Sequence, residues 1–351
     1  MLNFFREYIR KNNGLISYAD FIEQALYHPQ YGYYMKEKPK IGREGDFITS
    51  SNIADIYGAA VAKWFHKQVI EQQLPSAVCE IGAGTGRFAK AFIEEWKKLT
   101  TGELHYSILE ESPYHRKLQK ELIDFGENIR HIENFSDLQP FEGLIFSNEL
   151  FDAFPVHVIE RHNEKLFEVM IAFENEQLME AFIPLTDERI LTFIAESGLK
   201  IADHQRIEIP LQMENMVKAI ANTMESGIVL TVDYGYTNEE WQAPWRKEGS
   251  LRGYYQHQQF NHILQYPGEM DITSHIHFDS LIRLGAQYGL NFIQKWRQDE
   301  FLLTTGIMEE LQEYYDPNPF SATSRRNRAI RSLIMPSGMS SAFHVILQTK
   351  K

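Results

Sequence analysis

The spacing of apolar residues along the 351-residue chain changes several times, and each change marks an element. Residues 2 to 12 follow a helical period. Ser17 then stands as an N-cap before Tyr18-Ala-Asp-Phe-Ile-Glu-Gln-Ala-Leu26, a second helix. A third helix is expected from about Ile53 to Gln72. At Ala77 the pattern shortens to an apolar run, Ala77-Val-Cys79, which reads as a strand. Beyond it Phe88, Phe92, Ile93, Trp96 and Leu99 fall on one helical face. Further apolar runs predict strands at His105–Glu110, Asn128–Glu133, Gly143–Asn148 and Gly227–Asp233, the last strongly β-branched. Asn291–Trp296 and Ala342–Leu347 complete the set, with a helix expected over Phe278–Tyr288.

Strands alternating with helices predict an α/β fold, a doubly wound and mostly parallel sheet. About seventy residues separate the strand ending at Asn148 from the one starting at Gly227, too many for one crossover. An inserted α+β subdomain is therefore expected over 156–225. Its front half alternates at Val156–Arg161, Leu166–Phe173 and Leu178–Ile183, with polar breaks at His162-Asn163 and Asn175-Glu176. That is the pattern of an antiparallel meander. Residues 1–75 form an N-terminal helical segment expected to cover the glycine turn as a lid. The core is expected to comprise 76–155 and 226–351, with Tyr234 to Thr273 as a long loop region.

The chemistry begins where the first strand meets its helix, in Glu80-Ile-Gly-Ala-Gly-Thr-Gly86. Glycines at 82, 84 and 86 let the chain turn sharply and let a ligand reach bare backbone. The helix behind them offers unpaired N–H groups. A dinucleotide fingerprint would need glycine at 87, where Arg87 stands, and the phosphate-cradling G-x-x-x-x-G-K-[ST] pattern is absent. What stands here resembles the first motif of the class I S-adenosylmethionine (SAM) methyltransferases. An acid before the turn suits the sulfonium and ammonium of SAM better than a pyrophosphate. Other nucleotides, or a purely structural turn, are the alternatives.

Charge changes this picture little. A net charge of −13 and a pI near 5.5 argue against non-specific binding to nucleic acid or anionic membrane. The only cysteine, Cys79, excludes an intrachain disulfide and a thiolate metal site. No apolar run approaches a membrane span. The first residues lack a secretory h-region and include Glu7, so a cytoplasmic location is expected.

Two further groups sit where such a fold binds ligands. Glu110 ends the second strand, where a carboxylate can accept both ribose hydroxyls. An ordinary strand-end acid is the alternative, and Glu111 is expected to point elsewhere. Ser147-Asn-Glu-Leu-Phe-Asp-Ala-Phe-Pro155 leaves the fourth strand. If a helical turn begins at Glu149, then Glu149 and Asp152 share a face. Two carboxylates beside Asn148 suit a guanidinium, which presents five donors in a fixed fork. Simple capping by Asn148 or Asp152 is the competing reading. His275 and His277, with His257, His262 and Asp271 nearby, have a spacing seen in metal sites, but pocket-lining or structural histidines are expected and no metal is assigned. The basic run Ser324–Arg331 reads as a solvated face.

In chain order, Gly45-Asp-Phe-Ile-Thr-Ser50, Glu80–Gly86, Asn148-Glu-Leu-Phe-Asp-Ala-Phe-Pro155, Asp233-Tyr-Gly235, Leu251-Arg-Gly-Tyr254 with His257, and Pro267–His275 closely resemble the MidA family of SAM-dependent methyltransferases. The opening Leu26–Tyr34 and the closing Leu333–Pro336 fit too, so the resemblance spans nearly the whole chain. Mitochondrial members of that family are protein arginine methyltransferases that assist assembly of respiratory complex I. The resemblance implies a Rossmann-like class I fold with SAM held by Glu80, Gly82, Gly84, Gly86 and Glu110. It also implies that Phe47, Thr49 and Ser50 close over the cofactor, and that the methyl acceptor lies near Asn148, Glu149 and Asp152. The expected activity is methylation of an arginine side chain of a protein partner. A small-molecule methyltransferase and a non-catalytic assembly factor are the other readings.

Overall fold

A computed structural model describes residues 1–38, 51–311, 318–335 and 342–351, with the side chains of 51–54 left aside. The chain forms two compact units. One comprises Met1–Ile48, Phe151–Val217 and Gly235–Leu284; the other comprises Thr49–Leu150, Lys218–Tyr234 and Gly285–Lys351.

The second unit carries the large sheet. Its strands are β1 (Ala77–Ile81), β2 (His105–Leu109), β3 (Ile129–Ile132), β4 (Phe141–Asn148), β5 (Met224–Tyr236), β6 (Asn291–Arg297) and β7 (Phe343–Lys350). They lie in the order β3-β2-β1-β4-β5-β7-β6. The first five are parallel, and β7 runs antiparallel to both β5 and β6. Strand order therefore reverses between β1 and β4, and the crevice at their carboxyl ends is the switch point where open α/β sheets bind ligands.

Three helices flank this crevice region: α1 (Ser51–Gln72), α2 (Arg87–Leu99) and α3 (Pro113–Leu122). Alternation turns Val78, Tyr106, Leu144 and Phe146 to one sheet face, where they bury with Phe92 and Trp96 of α2 and Phe65 of α1. Truncating a ring such as Phe92 to alanine there costs about 3–5 kcal/mol. α1 was expected in a separate N-terminal segment, but it packs into this unit against α2. Gly58 makes that approach possible, since a Cβ there would sit 2.6 Å from the Phe88 carbonyl oxygen.

In the first unit, Lys165–Glu174 is the central strand of a five-stranded sheet and pairs with His157–His162, Gln177–Pro184 and Ile16–Ser17. The expected meander is present, joined by turns at Asn163-Glu164 and Asn175-Glu176, all four at positive φ. The partition differs from the sequence expectation at both ends. Ile16–Ser17 and the helices Leu2–Lys11 and Tyr18–Tyr27 join the expected insert, because Phe5, Ile9, Phe21 and Ile22 bury with Val158, Val169 and Ile171. Residues 252–273, expected as loop, contain a three-stranded sheet of Arg252–Tyr255, Gln258–Phe260 and Asp271–Thr273.

Candidate active site

The glycine turn is built as its sequence demands. Gly82, Gly84 and Gly86 adopt φ of 70°, 53° and 79°, a region costly for any residue with a Cβ. A Cβ on Gly86 would press to 2.8 Å from Gln119 Cγ, whereas among the described residues one on Gly84 would meet nothing within 4 Å. So Gly86 is required by packing, and Gly84 keeps open the side from which a ligand comes. Gly86 is also the N-cap of α2, and no side chain caps that helix. α3 differs: Ser112 accepts from the His115 N–H. The α2 terminus thus keeps its donors for something else.

Two acids flank this turn. Glu110 is buried, with Oε2 accepting from Gly84 N at 2.8 Å and Oε1 accepting from Ser112 N at 2.9 Å. Gln119 Nε2 donates to the Gly84 carbonyl at 2.6 Å, and Gln119 Oε1 lies 2.6 Å from His131 Nε2. Gly84 is therefore held at both its N–H and its carbonyl, in the two peptide groups that flank it. Glu80, on β1, is 3% exposed and accepts from the Tyr106 hydroxyl at 2.7 Å. Burial raises its pKa to about 8; the Tyr106 bond opposes that shift and the charge of Glu110 adds to it. Arg87, which breaks the dinucleotide fingerprint, pairs with Asp55 of α1 at 3.0 Å on the surface.

At the carboxyl end of β4, Asn148 Nδ2 donates to Glu149 Oε1 at 3.2 Å. Glu149 is exposed, and its N–H donates to the Val232 carbonyl of β5 at 2.9 Å. Its φ is +50°, so no helical turn begins there. The shared helical face expected for Glu149 and Asp152 is not formed. Asp152 lies in a turn of the first unit, where its carbonyl accepts from Ser274 N at 2.9 Å. There Asp271 accepts from the Tyr34 hydroxyl at 2.6 Å. Tyr34 titrates well above the usual phenol range, through burial first and then Asp271, Tyr27 and Asp152.

Phe47, Thr49 and Ser50 lie outside the described residues. Glu111 is exposed. His277 stacks on Trp241 at 4.7 Å and its Nε2 meets the Glu208 carbonyl at 2.7 Å, while His275 stacks on Tyr236 at 4.4 Å. Burial lowers both pKa values to about 4. They are packed, neutral rings, and among the described residues no group of His, Cys, Asp and Glu could hold a metal.

Sequence reasoning missed three contributors. Tyr106 was visible in principle, since alternation and parallel pairing put it on the face of Val78 and Glu80. Gln119 gave no signal, being a polar residue that is fully buried in a helix whose other buried residue is His115. Tyr57 of α1 is the third. Its hydroxyl is buried and has no hydrogen-bond partner among the described residues.

These parts fit a cofactor with a ribose and a cationic arm. Among the described residues the side of Gly84 is open and no side chain caps α2, and acids stand before the turn and after β2. A sheet of this order, with this turn at its reversal, defines a Rossmann-like class I SAM methyltransferase.

Comparison with known proteins agrees. The model of a family of S-adenosyl-L-methionine-dependent methyltransferases, Methyltransf_28, matches residues 60–295, and the chain belongs to that family. The chain is 25% identical over 360 residues to the Danio rerio protein named protein arginine methyltransferase NDUFAF7, mitochondrial; 94% of this chain and 82% of that one are covered. The Drosophila melanogaster homologue of that protein is 27% identical over 296 residues, 76% of this chain and 66% of its own length. A Burkholderia thailandensis protein crystallised with S-adenosyl-homocysteine has a TM-score of 0.90 and 25% identity, covering 99% of this chain and 91% of that one. These relatives support the MidA-family resemblance. SAM is the cofactor. Among the described residues no helix is long and apolar enough to cross a membrane.

Proposed function

We propose that this methyltransferase transfers the methyl group to an arginine side chain of a protein partner. The observation that carries the reading is Glu149: an exposed carboxylate on a left-handed backbone, braced by Asn148 at the carboxyl end of β4. The names of the NDUFAF7 relatives, at 22–27% identity, point the same way. SAM, when bound, would supply a methyl carbon on a sulfonium, with the neutral thioether of S-adenosylhomocysteine as leaving group.

The chain's residues must solve the acceptor's problem. A guanidinium has a pKa above about 12 and carries no free lone pair of useful basicity. Glu149 does not need to deprotonate it beforehand. Its carboxylate holds the planar group, draws positive charge toward one nitrogen and takes the proton as the N–C bond forms. Asn148 keeps that carboxylate in one orientation. Glu80 and Glu110 serve the cofactor in this reading.

The test is transfer of labelled methyl from SAM into lysate proteins of the source organism, with Glu149→Gln as control. Methylarginine in a discrete protein, lost in the variant, supports the proposal. Label confined to small molecules, or to another side chain, overturns it.

A further inference from the structure

Tyr57 does no structural work with its hydroxyl. The side chain is 6% exposed, and the oxygen is buried with no hydrogen-bond partner among the described residues. An orphaned buried hydroxyl costs free energy comparable to a lost hydrogen bond, so its retention needs a reason. Its carbon skeleton, in contrast, is well used. The ring centroid lies 5.8 Å from that of Phe88, in the first turn of α2, and Phe88 stacks on Phe146 of β4 at 4.3 Å and 11°. Phenylalanine would fill the same space.

Position supplies the reason. Tyr57 immediately precedes Gly58, whose missing side chain lets α1 touch the Phe88 carbonyl and Ala91. Tyr57 is thereby fixed beside the start of α2, directly after the glycine turn. Phe146, the ring behind Phe88, stands two residues before Asn148 on β4. The Tyr57 ring thus stands beside the first turn of α2, and the ring behind Phe88 belongs to the strand that ends at the strand-order reversal. Glu149 is close enough to add to the effect of burial in keeping the phenol protonated. A neutral phenol can donate to a carboxylate and accept from an ammonium.

We propose that the Tyr57 hydroxyl is a positioning contact for the amino-acid arm of the bound cofactor, supplying the hydrogen bond that the free protein leaves unmade. The arm carries a carboxylate and an ammonium, and either satisfies the hydroxyl. Held at that end, the sulfonium is aligned with the β4 exit. The inference rests on the cofactor assignment of the crevice, and its test separates the two.

The experiment is calorimetric titration of the full-length protein and its Tyr57→Phe variant with two ligands. S-adenosylhomocysteine has the amino-acid arm; 5′-methylthioadenosine keeps the nucleoside and thioether and lacks it. The expected result is roughly tenfold weaker S-adenosylhomocysteine binding by the variant, the range for a hydrogen bond to a charged group, with methylthioadenosine binding unchanged. Thermal unfolding without ligand should show a Tm equal to or above the parent's. Equal loss of both ligands, loss of neither, or a lowered Tm would each overturn the proposal. Failure of the parent to bind either ligand would instead remove the crevice assignment on which it stands.

Discussion

The Tyr106 hydroxyl donates to Glu80 Oε2 across 2.7 Å, and both side chains are buried on the core face of neighbouring parallel strands. This bond favours the charged form of Glu80, yet burial outweighs it and lifts the pKa from 4.5 to about 8. The neutral form of Glu80 is thus favoured in the free protein, and a cation brought beside it would favour the charged form.

A pH dependence of known sign results. A raised carboxyl pKa stabilises the fold fully below pH 4.5, and that contribution is lost as pH rises to about 8. The loss is roughly 1.4 kcal/mol per pH unit within this window. Glu80→Gln keeps an acceptor for Tyr106 and cannot ionise. Without cofactor it should become more stable than the parent, by several kcal/mol, as pH is raised from 6 to 9. Cofactor affinity should move oppositely, rising with pH in the parent and staying weak and flat in the variant. Tm and calorimetry across the pH series check both.

Gly84 and Gly86 should separate binding from folding. Gly84→Val adds a branched side chain where a Cβ has open space, at φ 53°. The backbone strain costs about 1–2 kcal/mol. The protein should remain folded and lose SAM binding altogether. Gly86→Ala drives its Cβ to 2.8 Å from Gln119 Cγ and disturbs the side chain that holds the Gly84 carbonyl. It should lower Tm more than Gly84→Ala does. Circular dichroism melts and titration calorimetry distinguish the two, and normal SAM affinity in Gly84→Val would remove the turn from the cofactor site.

What the sequence revealed depended on whether a local rule had its usual residue. Asn163-Glu164 and Asn175-Glu176 turn with both residues at positive φ, and asparagine is a customary occupant of such turns, so the meander was legible. Gln256 and His257 make the same kind of turn at φ 49° and 63°, without asparagine or glycine, and the hairpin they join was read as loop. The three-residue spacing of Glu149 and Asp152 puts them on one face only if a helical turn begins at Glu149. Its φ of +50° is a conformation that a glutamate seldom announces. The orphaned oxygen of Tyr57 had no sequence signal at all, since only packing distinguishes it from a phenylalanine.

Arg87 illustrates a residue that changes a motif without changing its chemistry. It occupies the third-glycine position of a dinucleotide fingerprint and pairs with Asp55, both groups being substantially exposed. Such pairs contribute at most about 1 kcal/mol. Arg87→Ala should therefore shift stability by less than that, with the difference shrinking in high salt, and leave SAM affinity unchanged. A several-fold change in SAM affinity would show that the guanidinium reaches the cofactor.

Glu149 offers a variant with two opposed outcomes. Its backbone sits at φ +50°, where a residue with a Cβ is strained by about 1–2 kcal/mol and glycine is not. Its side chain is exposed and accepts from Asn148. Glu149→Gly should accordingly raise Tm or leave it unchanged, in spite of glycine's greater freedom in the unfolded chain. If the carboxylate holds the acceptor, the same variant should lose methyl transfer by two or more orders of magnitude, as removal of a general base does. SAM affinity should stay near the parent value. Strain kept at a residue whose removal stabilises the fold is what a functional position retains. A variant that is less stable, or one that is equally active, would make Glu149 a structural residue at the end of β4.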